Sequence, residues 1–123
     1  MSMTFNGTSG ITFPDGTTQS TASNSIGFSQ SWVDVTSSRS IGSTYTNNTG
    51  RPIMVSIYGG NTGAGSYLTL SVGGIVVCKA QGDTTNGSAE TSMVSIVPNG
   101  VTYQVNGNKN MNPANGAVWA ELR

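Results

Sequence analysis

From Ser31 onward, apolar side chains come in short β-branched runs that alternate with polar residues and are cut by Gly, Asn and Pro. Alternation of period two over four to eight residues marks a half-buried strand, and such punctuation marks turns. No stretch shows the spacing of an amphipathic helix, so no helix is expected. The pattern predicts eight strands, at 31–36, 40–46, 52–58, 66–72, 75–80, 91–97, 101–106 and 117–122. Period two then assigns core-facing residues. They are Ile53, Val55 and Ile57; Leu68, Leu70 and Val72; Val76 and Cys78; Val94 and Ile96; Val101, Tyr103 and Val105; and Val118, Ala120 and Leu122. Short strands at this spacing predict an all-β fold, an antiparallel β-sandwich of jelly-roll type.

Composition agrees. Gly, Ser, Thr and Asn make up half the chain, and only 8% of residues are charged, about a third of the usual share. Disordered chains carry more charge than this. One domain with a modest core plus a short appendage suits the 123 residues. The expected boundary divides residues 1–30 from a domain at 31–123.

The connections differ in length. Gly73-Gly74 fits a two-residue hairpin, Pro98-Asn99-Gly100 a tight turn, and 47–51 a short link ending at a strand-starting proline. Three connections are long: 59–65, 81–90 and 107–116. If each strand crosses the sandwich once, parity puts the three long loops at one end. The tight turns and the entry from residue 30 then lie at the other. Binding residues are usually placed on loops held by a rigid scaffold.

Residues 1–30 read as a stem. Pro14-Asp15-Gly16 makes a turn, with Pro fixing φ, Asp bonding the backbone ahead and Gly accepting positive φ. The flanking segments have little apolar surface, and an isolated hairpin is marginal in water. Burial for Ile11, Phe13, Ile26 and Phe28 is therefore expected from association with other copies.

The chemistry-bearing residues are few. There is no histidine, which removes His-based triads and most zinc sites. No Gly-x-Ser-x-Gly elbow occurs. The carboxylates are Asp15, Asp34, Asp83, Glu90 and Glu121. Asp83 and Glu90 share a loop and read as solvated, and Asp83 with one neighbour is a thin calcium ligand set. Asp34 reads as a partner for Arg39 or Arg51. Cys78 is the sole cysteine and reads as a small buried hydrophobe. Formal net charge is zero and no basic run exists, which argues against nucleic acid. No apolar run is long enough to span a bilayer. Residues 1–5 lack a signal-peptide pattern, so assembly in a cytoplasm is expected. The chain is read as a non-enzyme with no cofactor and no metal.

Tyr58 and Tyr67 bracket the first long loop, as an aromatic plate for a sugar would. Trp32 and Trp119 read as core or interface anchors. Residues 106–116 are the richest in side-chain amides, which donate and accept hydrogen bonds to hydroxyls.

Three segments carry a resemblance. Ile11-Thr12-Phe13-Pro14-Asp15-Gly16-Thr17-Thr18-Gln19 resembles an element of phage tail-fibre and tail-tip proteins that often precedes a C-terminal β domain. Ser31-Trp32-Val33-Asp34-Val35-Thr36, Arg39, Tyr45-Thr46-Asn47 and Thr49-Gly50-Arg51-Pro52-Ile53-Met54-Val55 resemble the opening of a tail-fibre receptor-binding tip domain. Trp119-Ala120-Glu121-Leu122-Arg123 resembles how such domains end. The resemblance implies a homotrimeric virion protein of the tail, joined to other tail proteins through its stem. It also implies contact with a host surface glycan or outer-membrane protein. Combined with loop parity, it makes Asn61, Tyr67, Asn86, Lys109 and Asn110 the candidate receptor-binding residues. A capsid decoration or head-fibre protein is the alternative. A glycan hydrolase is disfavoured by the scarcity of titratable groups.

Overall fold

The computed structural model describes residues 4–6, 10–19, 25–59, 65–82, 91–108, 111 and 113–123. Eleven strands are present among them. Three belong to the N-terminal segment: β1 (Thr4–Asn6), β2 (Gly10–Thr12) and β3 (Thr18–Gln19). They pair antiparallel in that order. The expected turn joins β2 to β3. Phe13 N–H donates to Thr17 O at 2.8 Å, and Asp15 Oδ1 accepts from the Thr17 N–H and hydroxyl at 2.9 and 2.6 Å. Strand β1 was not foreseen, because Thr4–Asn6 has too few residues for alternation to register.

The eight remaining strands fall within two residues of the predicted spans, except that the first two are shorter. They are β4 (Trp32–Asp34), β5 (Thr44–Thr46), β6 (Ile53–Tyr58), β7 (Tyr67–Val72), β8 (Ile75–Gln81), β9 (Ser92–Val97), β10 (Thr102–Gly107) and β11 (Val118–Leu122). The stretch between β4 and β5 turns through a short 3-10 segment at Thr36–Ser38. No α-helix occurs among the described residues. One antiparallel sheet has the order β4-β11-β6-β9 and the other β5-β10-β7-β8. Sequence neighbours therefore mostly sit in different sheets, with only the β7–β8 hairpin closing within one. Gly73 and Gly74 make that hairpin with φ of 59° and 81°, the double positive φ that a two-residue turn of this hand requires.

The core joins both sheets and fits a β-sandwich. Ile53, Val55, Ile57, Met93, Val97 and Trp119 face Leu68, Leu70, Tyr103 and Val105. Burying each large side chain contributes roughly 1.5–3 kcal/mol. The expected inward sets of β6, β7 and β10 are met.

Three other assignments are corrected. In β9 the buried residues are Met93 and Val97, while Val94 and Ile96 are exposed. In β11 they are Trp119 and Glu121, while Val118 is exposed. Both strands carry apolar residues on both faces, so alternation marks a strand there without choosing its inner face. In β8, Cys78 packs against the core but Val76 is exposed. Leu70 pairs with Cys78 and Ser71 with Val76, so Val77 is an extra, bulged residue that shifts the phase.

Candidate functional site

The roots of the three long loops meet at one end of the sandwich. Gly59 N–H donates to Thr91 O, and Gly82 N–H to Ser66 O, both at 2.8 Å. Asn108 Oδ1 accepts the Tyr67 N–H at 2.8 Å, and its amide donates to Gly65 O at 3.2 Å. Gly107 lets β10 come this close to β7. A Cβ there would clash with Tyr67 O. Tyr67 is exposed beside these roots. Asn61, Asn86, Lys109 and Asn110 lie outside the described residues, as do Asp83 and Glu90. Tyr58 does not share a sheet with Tyr67, since β6 and β7 belong to different ones.

The opposite end holds the tight turns and the incoming chain. Gln30 Nε2 donates to Pro52 O at 2.9 Å and to Leu122 O at 3.3 Å. Arg51 Nη1 donates to Phe28 O at 2.6 Å. Ser31 and Arg123 exchange both backbone hydrogen bonds. Buried Asn47 ties the turns together, donating to Arg51 O and Val97 O and accepting from the Thr49 N–H and hydroxyl. Of the proposed stem residues, Ile11 and Ile26 are half-buried, and Phe13 and Phe28 are exposed.

Beside Asn47 sits a buried charge cluster. Glu121 is fully buried. Its Oε1 accepts from Arg39 Nε at 3.0 Å and from the Tyr103 hydroxyl at 2.7 Å. Its Oε2 accepts from Arg39 Nη2 at 3.1 Å and Arg123 Nη1 at 2.8 Å. Burial alone would raise the carboxyl pKa, but the bonds from Arg39, Tyr103 and Arg123 outweigh it and hold it below the ordinary range. Burial, followed by the bond to Glu121, pushes the Tyr103 phenol up to about 12. Arg39 also lies 4.5 Å over the Tyr45 ring. The expected pairing of Arg39 or Arg51 with Asp34 is not formed. Asp34 instead accepts from the Thr36 N–H and hydroxyl at 2.9 and 2.6 Å, which lowers its pKa. The alternation Trp119–Glu121 was the available signal for this cluster, because a core-facing Trp119 carries Glu121 inward with it.

The outer faces of the two sheets differ in chemistry. On the first, register aligns Trp32, Leu122, Met54 and Ile96 in one row across all four strands. The next row is Asp34, Ala120, Ser56 and Val94, and the third is Val118, Tyr58 and Ser92. Trp32 and Ile96 are 52% and 50% exposed. On the second sheet the corresponding rows are Thr44, Gln104, Ser71 and Val76, and Asn106, Thr69 and Lys79. One face is mostly apolar and the other mostly polar.

Among the described residues no group of three or more His, Cys, Asp or Glu is placed to hold a metal. No helix among them is long and apolar enough to cross a membrane. No family model, no curated protein and no solved structure matches the chain.

Proposed function

We propose that the chain is the tip of a virion tail fibre, a trimeric jelly-roll adhesin that binds the host cell surface with its long loops. The observation that carries this reading is the division of labour between the two ends. The chain from residues 28–31 docks at one end, and the roots of three long loops converge at the other. A molecule held by one end and equipped with loops at the other suits contact with a distant surface. The resemblance of the segments at 11–19, 31–55 and 119–123 supports the same reading. The scarcity of titratable groups supports a binding role over catalysis.

The test is adsorption of the purified protein to cells that the parent particles infect. Tyr67→Ala, and Gly-Ser replacement of residues 60–64, 83–90 or 109–110, are expected to weaken adsorption tenfold or more, taking about 1.4 kcal/mol per tenfold. Such surface-loop changes alter stability by about 0.5 kcal/mol or less. Asn108 is kept, because it braces Tyr67 and Gly65. Unchanged adsorption in all four variants contradicts the assignment of the loops.

Association with two further copies covers the apolar face in this account. The face carries one charge, Asp34, already engaged by Thr36, so packing copies together meets little like-charge repulsion. Four strands by five residues give a footprint of about 300 Å², short of the roughly 800 Å² per partner of a stable interface. A three-fold ring gives each subunit a second contact surface, and the exposed Ile75-Val76-Val77 start of edge strand β8 is a suitable one. Light scattering should give three times the 12.6 kDa chain mass at micromolar concentration. Ile96→Glu, at an exposed position, should give a folded monomer. A wild-type monomer under these conditions contradicts the trimer.

A further inference from the structure

We infer that β4 is a load-bearing clamp, which carries in shear a pull directed from the stem end of the domain to its loop end. The strand itself buries almost nothing, since Trp32, Val33 and Asp34 are all exposed. It is nevertheless tied to β11 along its whole length. Ser31 and Arg123 exchange both backbone hydrogen bonds, and the register pairs Val33 with Glu121. Hydrogen-bonded pairs alternate along an antiparallel ladder, so Val33 and Glu121 form the next rung. The Val35 N–H, donating to Trp119 O at 2.8 Å, makes the one after it. Side chains fasten both ends. Before the strand, Gln30 Nε2 donates to Pro52 O and Leu122 O, its Oε1 accepts the Gly27 N–H at 2.7 Å, and Arg51 holds Phe28 O. After it, the hydroxyl of buried Thr36 accepts the Trp119 N–H at 2.8 Å. Hydrogen bonds, rather than core burial, hold this strand in place.

Direction decides what these bonds resist. Strand β4 runs from the stem end, where Ser31 meets Arg123, towards the loop end, where Val118 pairs with Tyr58 just before Gly59. A pull on Gln30 against the loop end lies along the strand. It slides β4 past β11 and strains every rung and both fastenings together. Strand β11 is the firm partner, because it lies between β4 and β6 and buries Trp119 and Glu121. A pull between Gln30 and Arg123, which sit side by side, lies across the ladder instead. It loads the Ser31–Arg123 rung first and opens the others in turn. A hydrogen bond weakens steeply once stretched or misaligned, so bonds loaded together outlast bonds loaded one at a time. That such a pull arises in use rests on the adhesin reading; the clamp itself does not.

The test is single-molecule unfolding of the full chain at constant force. One handle sits on residue 1. The other sits on Tyr67→Cys, at an exposed position of the loop end, or on a cysteine appended after Arg123. Both proteins carry Cys78→Ala, which removes the native thiol. Labelled chains are diluted into unlabelled ones, so that any assembly holds one pair of handles. At one force, the lifetime between residues 1 and 67 should exceed that between the two chain ends by about tenfold or more, a barrier difference of about 1.4 kcal/mol. Gln30→Ala leaves the rungs in place and so keeps the fold. It should shorten the lifetime between residues 1 and 67 about threefold or more. Equal lifetimes in the two geometries overturn the proposal. So does a lifetime between residues 1 and 67 that Gln30→Ala leaves unchanged, since the load would then bypass β4. The lifetimes are read without cells, so they stand or fall apart from adsorption.

Discussion

Replacing Glu121 by alanine lowers the free energy of unfolding by about 3–5 kcal/mol, the usual cost of breaking a buried ion pair from one side. The carboxylate is fully buried and joins β11 to β10 through Tyr103 and to the segment after the 3-10 turn through Arg39. Without it, the Arg39 guanidinium, mostly buried, has lost its counter-charge, and the Tyr103 hydroxyl has lost its acceptor. Domains of this size are stable by only about 5–15 kcal/mol, so the variant sits near the edge of folding. Urea denaturation at neutral pH measures the change.

The same cluster sets a pH dependence with a defined sign. The Glu121 pKa is lowered in the fold, so its contribution is complete above the unfolded carboxylate range and is lost as pH falls through the folded value. The Tyr103 pKa is raised from 10.0 to about 12, so its contribution is complete below 10 and is lost as pH rises towards 12. Stability should therefore be flat between these limits and fall on both sides. In Glu121→Ala the acid limb should shrink. An acid limb unchanged in that variant would remove Glu121 from the account.

Trp119→Ala is expected to cost about 3–5 kcal/mol, as for other large core truncations. Trp119 is completely buried, and its ring meets Tyr45 edge-on with centroids 5.9 Å apart and planes at 84°. Tyr45 in turn stacks beneath Arg39, so the cavity would open next to the charge cluster. The Trp119 Nε1 has no hydrogen-bond partner among the described residues. Trp119→Phe loses no hydrogen bond through that atom and should retain most of the stability, because the aromatic volume is what the site uses. If alanine and phenylalanine prove equally destabilising, packing is not the source of the Trp119 contribution.

The strands and turns were legible because alternation and glycine pairs are local signals. Gly73-Gly74 and Pro14-Asp15-Gly16 formed the turns their backbone preferences require. The convergence of the long-loop roots was also legible, since it follows from counting strands. The inner face of β9 and β11 was not. Trp119 reads as a core or interface anchor, and its core reading excludes Val118, Ala120 and Leu122 as core residues of the same strand. Giving priority to the largest side chain would have resolved the conflict and turned Glu121 inward. The ambiguity itself has a physical source: both faces of these strands carry apolar residues, and that doubling leaves Val94, Ile96, Val118 and Leu122 on the outer face beside Trp32 and Met54. The Arg39–Glu121 contact joins residues 82 positions apart and leaves no trace in local pattern.

If the chain is the host-facing tip of a virion fibre, as proposed, gold-conjugated antibody against it should label the free ends of the tail fibres in electron micrographs of intact particles. Label over the capsid, or particles that carry none, would contradict the proposal.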